Sequence, residues 1–131
     1  MTTLQDILAR AGNALQEIRG WFLNGGKSPQ LAELANCMDE RVKEVEEKLQ
    51  RLHVTEFCGQ FKDVTHEAHD KRSARYCKYD AERFLDLAIK VIEGRKSEGQ
   101  DSELQACVDE LKELKGMLRQ FGLGAKRQLA S

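Results

Sequence analysis

The helical character of this chain is clearest in residues 29–52, which read PQLAELANCMDERVKEVEEKLQRL. Apolar side chains recur there every three or four residues, a spacing that places them on one face of an α-helix. This apolar stripe consists of Leu31, Leu34, Met38, Val42, Val45, Leu49 and Leu52. Because charged residues occupy most of the remaining positions, the stretch predicts an amphipathic helix that packs against other helices.

Residues that end and begin helices precede this stretch. Asn24-Gly25-Gly26 ends a first helix, since paired glycines have poor helix propensity and accept left-handed backbone angles. Ser28 is then suited to cap the next helix, and Pro29 to occupy its first position, where a backbone N–H is not needed. We therefore predict helices over residues 3–23 and 29–52.

Three further apolar stripes have the same helical spacing. The first helix carries Leu4, Ile7, Leu8, Ala11, Leu15, Ile18 and Phe22. A third predicted helix, over residues 55–94, carries Phe57, Phe61, Val64 and Ala68, and then Ala74, Cys77, Ala81, Phe84, Ala88 and Val91. A fourth, from 101 to 121, carries Leu104, Val108, Leu111, Leu114, Leu118 and Phe121. Residues 1–131 are therefore predicted to form one all-α domain, an antiparallel four-helix bundle with a short flexible tail at 122–131.

The third predicted helix is unusually long, at about 60 Å. Its first apolar face, which ends at Ala68, does not continue into the face that begins at Ala74, and this favours a break near Asp70–Ser73 and hence five helices. The alternative is one long helix whose middle projects beyond the bundle. Small inner-face residues such as Ala81 and Ala88 permit close helix approach, so we predict that the second half is the central helix.

The composition argues against a strong field for polyanions. The chain has 21 basic and 22 acidic side chains and a net charge of −1, so binding to nucleic acid or to an anionic membrane would need a local basic patch. No apolar run approaches the roughly 18 residues of a membrane span. The N-terminus has no pattern of a secretory signal. We therefore expect a cytoplasmic protein, of the producing cell or of its host, with no membrane partner.

The cysteines are widely spaced along the chain, at Cys37, Cys58, Cys77 and Cys107. Disulfide frameworks and zinc ribbons place their cysteines in close pairs. We therefore expect free thiols that are buried or half-buried, in a reducing compartment.

One cluster of metal-ligand residue types lies in the third predicted helix. His66 and His69 are three residues apart, with Asp70 next to them, whereas the zinc-protease motif needs histidines four residues apart. By helical register both histidines lie opposite the apolar face that contains Phe61. We interpret the cluster as solvated surface and expect neither a metal site nor a cofactor.

Two acidic pairs, Glu44-x-x-Glu47 and Glu67-x-x-Asp70, resemble those of the all-α nucleotide pyrophosphohydrolases. The resemblance implies a magnesium ion held between antiparallel helices, with hydrolysis of a nucleotide. Lys43 stands where that family usually has a further glutamate, and the first pair lies opposite the apolar stripe of its helix. We interpret these carboxylates as ordinary helix surface and keep the enzyme as a second alternative.

A segment rich in basic and aromatic residues is the best candidate binding surface. It comprises Lys71, Arg72, Arg75, Tyr76, Lys78, Tyr79 and Arg83. Tyrosine and arginine are frequent anchors of protein interfaces, and both tyrosines lie off the apolar face of the helix. The same side chains could hold a phosphate backbone and stack on bases, so nucleic acid is the alternative partner.

No arrangement of nucleophile and base can be assembled from the sequence. We therefore predict a non-enzymatic protein–protein interaction module that acts by stoichiometric binding, as a small adaptor, regulator or inhibitor of the kind that phages and pathogens encode. Another protein is the expected partner, and a homodimer is a further hypothesis. Trp21, at the edge of the first apolar stripe, is expected to seal one end of the bundle.

Overall fold

A computed structural model of the chain describes residues 3–24, 28–54, 74–95 and 101–122. These ranges contain four α-helices and no strand. The helices are α1 (Leu4–Leu23), α2 (Pro29–Arg51), α3 (Ala74–Arg95) and α4 (Asp101–Met117), and a 3₁₀ turn at Leu118–Phe121 follows α4. The predicted all-α fold is confirmed. None of the helices in these ranges is long and apolar enough to cross a membrane.

The packed helices run in opposite directions. The Gln5 side chain donates a hydrogen bond to the Val54 carbonyl at 3.0 Å, which places the start of α1 beside the end of α2. The Cys77 thiol lies 3.2 Å from the Glu17 carboxylate, so the start of α3 lies beside the second half of α1. α1 packs against α2 and α3, and α4 packs against α3 and, less extensively, α2. The antiparallel four-helix bundle is therefore confirmed.

This arrangement puts α2 and α3 at diagonal corners of the bundle, running in the same direction. The end of α2 and the start of α3 consequently lie at opposite ends of the bundle. The break expected near Asp70–Ser73 lies outside the described residues, as does the flexible tail predicted at 122–131 except for Gly122.

The core is built from the predicted apolar stripes, with one shift on α2. Every stripe position on α1 and α4 is buried. On α2, however, Leu31 and Leu34 are only half-buried, and Ala32 and Ala35 are fully buried instead. The small alanines face α1 because they let the two helices approach closely. The buried face of α2 is therefore rotated relative to the apolar stripe that the sequence predicts.

α1 packs extensively against both α2 and α3, and α3 in turn packs against α1 and α4. Each helix lies at a corner of the bundle, so the prediction that α3 is the central helix is not confirmed. Its small inner face is nevertheless confirmed, since Ala81 and Ala88 have no exposed surface.

The helix ends follow the capping residues. The Thr3 hydroxyl accepts from the Asp6 N–H at 3.2 Å, and Ser28 Oγ accepts from the Leu31 N–H at 3.2 Å, so the predicted start of α2 is confirmed. α2 ends with His53 in the left-handed region, at φ 61°. The next residue, Val54, is buried and donates its N–H to the Leu49 carbonyl at 2.9 Å. This is the Schellman pattern, with histidine at the position where glycine is usual.

Two phenylalanines close the end of the bundle where α1 meets the 3₁₀ turn. Phe22 stacks on Phe121 with ring centroids 5.6 Å apart. Trp21 contacts Phe22 edge-on at 5.1 Å and remains 38% exposed. Trp21 therefore covers Phe22 at this end only in part, so the prediction that it seals the bundle is not confirmed.

The thiols follow the expectation in part. Cys77 and Cys107 are buried thiols outside any disulfide, whereas Cys37 is also a thiol but is exposed, contrary to the expectation. Cys58 lies outside the described residues.

Candidate functional site

The predicted binding surface is only partly described. Lys71 and Arg72 lie outside the described residues, and Arg75 and Tyr76 belong to the first turn of α3, in a part whose side chains are not described. Tyr79 is 55% exposed, the most exposed large apolar side chain in the described ranges.

Arg83 is mostly buried. Its side chain is 18% exposed, and Nη2 lies 3.7 Å from Oδ1 of the buried Asp80. The guanidinium also lies over the ring of Phe84, 4.8 Å from the centroid. A buried carboxylate needs a cation nearby, and the face of an aromatic ring attracts one. Arg83 is therefore part of the packing of α3, and its role as a binding residue stays a prediction.

Lys78 lies in a groove of about 490 Å³ between α3 and α4, which we call the α3/α4 groove. One wall comes from α3 and the other from α4 and the 3₁₀ turn. The groove is lined by Lys78, Glu82, Asp86, Ile89, Lys112, Lys115, Gly116, Leu118 and Arg119. On each wall the charged residues are three or four positions apart, so they share one helix face.

The α3/α4 groove has an excess of positive charge, with four cations and two carboxylates in its lining. Lys115 Nζ lies 2.7 Å from Asp86 Oδ1 across the groove, and Lys112 Nζ lies 3.3 Å from the Glu93 carboxylate. Lys78 and Arg119 form no ion pair with any residue in the described ranges. The groove can therefore attract an anionic group at the end that these two cations share.

The floor of the groove is apolar. Ile89 and Leu118 are buried beneath it. Gly116 is exposed in the wall, and a Cβ atom added there would meet no other atom within 4 Å. This missing side chain keeps the groove open beside α4.

The carboxylates that resemble a magnesium site are not brought together in the described residues. Glu44 and Glu47 are exposed on α2, where they line a shallow groove beside α4 together with Lys48 and Arg51. Glu67 and Asp70 lie outside the described residues, as do His66 and His69. Within the described ranges no three His, Cys, Asp or Glu side chains are placed to hold a metal ion.

Sequence reasoning missed a buried polar cluster between α1 and α2. Asp39 is 2% exposed. Gln16 Nε2 donates to Asp39 Oδ2 at 2.6 Å and lies 3.3 Å from Asn36 Oδ1. Lys43 Nζ lies 3.4 Å from the same Asp39 oxygen. The signal in the sequence was the spacing of Ala35, Asp39 and Val42 on one face, which the larger neighbouring apolar residues obscured.

A second charged cluster joins α2 to α4. Arg41 Nε lies 2.5 Å from Glu110 Oε2, and Nη2 lies 3.1 Å from Glu113 Oε1. The hydrogen bond to Glu110 raises the pKa of Arg41, and the same bond holds the pKa of Glu110 below its ordinary value of 4.5. Because α2 and α4 pack over a small area, this cluster is a principal link between them.

We expect Glu110→Gln to lower the free energy of unfolding at neutral pH by about 0.5–1 kcal/mol, as for a partly exposed ion pair. A carboxylate whose pKa is lower in the folded state stabilises the fold above its unfolded pKa, and this contribution is lost as the pH falls through the folded value. Urea titrations between pH 7 and pH 3 should therefore show the variant and the natural protein converging in acid. Exposed Glu40, in the middle of α2, is the matched control, and Glu40→Gln should change the free energy of unfolding at pH 7 by no more than about 0.5 kcal/mol. A constant difference for Glu110→Gln at every pH would contradict the assignment.

Comparison with family models, curated proteins and solved structures found no match for this chain. The fold and the site therefore define its class: an all-α bundle with a mixed-charge groove between two helices.

Proposed function

We propose that this protein is a non-enzymatic protein–protein interaction module, a small adaptor, regulator or inhibitor that binds its partner stoichiometrically. The observation that carries the proposal is the α3/α4 groove, with Lys78 and Arg119 left without ion pairs in the described ranges and the exposed Tyr79 next to Lys78. Tyrosine and arginine supply much of the binding energy of protein interfaces relative to their number. The partner contacts this face of the bundle.

Charge supports a protein partner over nucleic acid. Glu82 and Asp86 line the same groove as the cations, and they repel a continuous phosphate backbone. Arg83, one of the expected phosphate contacts, lies instead against Asp80 and Phe84. Mixed charge of this kind is usual where the partner carries both signs.

A photo-crosslinking amino acid in place of Tyr79 is expected to trap the partner, because this side chain is exposed beside the groove. A matched variant carries the same amino acid in place of Leu23, which is 44% exposed at the end of α1. Crosslinked species from cells that contain the natural partner are then identified by mass spectrometry. The Tyr79 variant should give one dominant protein product, and the Leu23 variant should not.

The identified partner then allows a measurement of affinity. We expect Tyr79→Ala to weaken binding about tenfold, or 1.4 kcal/mol, with an unchanged circular dichroism melt. Affinity for the natural partner should vary little with salt, whereas phosphate contacts would produce a steep dependence. If the Tyr79→Ala variant binds as tightly as the natural protein, the interface lies elsewhere. The next candidates are then the exposed Glu40, Glu44 and Glu47 on α2.

A further inference from the structure

We infer that the α3/α4 groove binds an amphipathic α-helix of the partner, two to three turns long, with acidic side chains along the face that meets α4. This inference rests on the proposed function and adds the chemical class of the bound segment.

The dimensions of the groove suit a short helix. Along α3 the lining runs from Lys78 to Ile89, about 16 Å at 1.5 Å per residue. Along α4 it runs from Lys112 to Arg119, about 10 Å on the same scale. These lengths correspond to two to three turns of a helix that lies parallel to the walls.

Gly116 allows a backbone to come close to α4. Glycine within a helix is less stable than alanine, and it is favoured where another backbone approaches. Nothing in the described structure fills the space beside it, since an added Cβ would have no neighbour within 4 Å. A docked helix occupies this space and covers the apolar floor formed by Ile89 and Leu118.

The cations on α4 determine which face of the docked helix is acidic. Lys112, Lys115 and Arg119 follow one another at intervals of three and four residues, the interval at which side chains on a facing helix also repeat. Carboxylates at matching intervals on the docked helix therefore meet Arg119 directly, and they compete with Asp86 for Lys115 and with Glu93 for Lys112. Glu82 on the opposite wall favours a basic residue on the other side of the docked helix.

A second copy of this chain is a weaker candidate for the occupant. Exposed Glu33, Glu40, Glu44 and Glu47 form an acidic stripe on α2. This stripe and the α3/α4 groove lie on different faces of one molecule, because α2 and α3 are at diagonal corners. Such a head-to-tail contact would repeat from copy to copy, as in rings or filaments. A helix from another protein makes a closed, stoichiometric complex.

The test uses three fluorescent helical peptides of about 14 residues, long enough for the groove. They are identical except for one face, which carries Glu, Gln or Lys at alternating intervals of three and four. Fluorescence anisotropy at about 50 mM salt, where surface charges are little screened, should show the Glu peptide binding at least about tenfold more tightly than the Gln peptide. The Lys peptide should bind least.

Two variants locate the binding. The triple variant Lys112→Glu, Lys115→Glu, Arg119→Glu should reduce affinity for the Glu peptide by about tenfold or more. Gly116→Leu should do the same by occupying the groove without a change of charge. Gly94→Leu is its matched control, since a Cβ at Gly94 also meets nothing within 4 Å and lies outside the groove, and it should bind normally. Circular dichroism melts establish that each variant folds.

Equal binding of the Glu and Gln peptides would overturn the inference, and so would full binding by Gly116→Leu. A single-stranded oligonucleotide that displaces the Glu peptide and binds more tightly would replace the helix with nucleic acid as the ligand. Oligomers of the protein in analytical ultracentrifugation that disappear in Gly116→Leu would identify a second copy as the occupant, which also overturns it. Crosslinking of a partner at position 79 without binding of the Glu peptide would leave the proposed function intact and reject only the acidic helix.

Discussion

Gly12→Ala should destabilise the bundle by about 2 kcal/mol, the cost expected when a buried polar contact is displaced and overpacked. A Cβ atom at Gly12 would lie 2.6 Å from Asp39 Oδ1, too close for any real contact. The Asp39 carboxylate is buried and bonded to Gln16 at 2.6 Å, so it cannot move aside without losing that bond. Urea denaturation at pH 7 gives the free energy of unfolding.

Gly20→Ala is the matched control on the same helix. An added Cβ there meets nothing within 4 Å, so the substitution should stabilise the protein by roughly 0.5–1 kcal/mol through helix propensity alone. The two alanine variants should therefore differ by about 3 kcal/mol with opposite signs.

A double-mutant cycle separates the clash from other effects of Gly12→Ala. Asp39→Ala removes the carboxylate that the new methyl group meets, so adding Gly12→Ala to that variant should cost little or nothing. The resulting non-additivity should be at least about 1 kcal/mol, as for residues in direct contact. Additive effects would mean that Gly12 and Asp39 are not packed against each other.

Ala88→Leu should lower the free energy of unfolding by about 1–3 kcal/mol, because added methyl groups strain a filled core. Ala88 has no exposed surface and belongs to the inner face of α3. In thermal melts this corresponds to a drop of roughly 3–10 °C for a domain of this size. Ala81→Leu, at a position that is also fully buried, should behave similarly.

Ala106 on α4 is the matched control, because the same substitution can be made there at an exposed position. Ala106→Leu should change stability by no more than about 0.5 kcal/mol, the usual range for surface positions. Equal melting temperatures for Ala88→Leu and Ala106→Leu would show that the inner face of α3 is not tightly packed.

The helices were predictable because helix formation depends on neighbours three and four residues apart. The apolar stripes of α1 and α4 are buried at every position, and the caps at Thr3 and Ser28 form as their residue types predict. Each of these features depends on a local stretch of chain, so no knowledge of the partner helices was needed. The same is true of the all-α class.

The candidate site was less predictable. Lys78 and Tyr79 were found from composition, because basic and aromatic residues are uncommon so close together. The cations of α4 that share the groove, Lys112, Lys115 and Arg119, gave no signal, since lysines and arginines on an outer helix face are ordinary. They become a site only where α3 lies beside α4.

Local spacing and residue type thus determine where the helices begin, where they end and which face of each is apolar. Tertiary packing alone decided that α2 and α3 lie at diagonal corners, that α2 turns its alanines and Asp39 inward, and that Arg83 folds onto Asp80 and Phe84. The physical reason is that burial of a polar group depends on the partners that surround it. Those partners come from distant parts of the chain, so they cannot be inferred from the spacing of apolar residues in one helix.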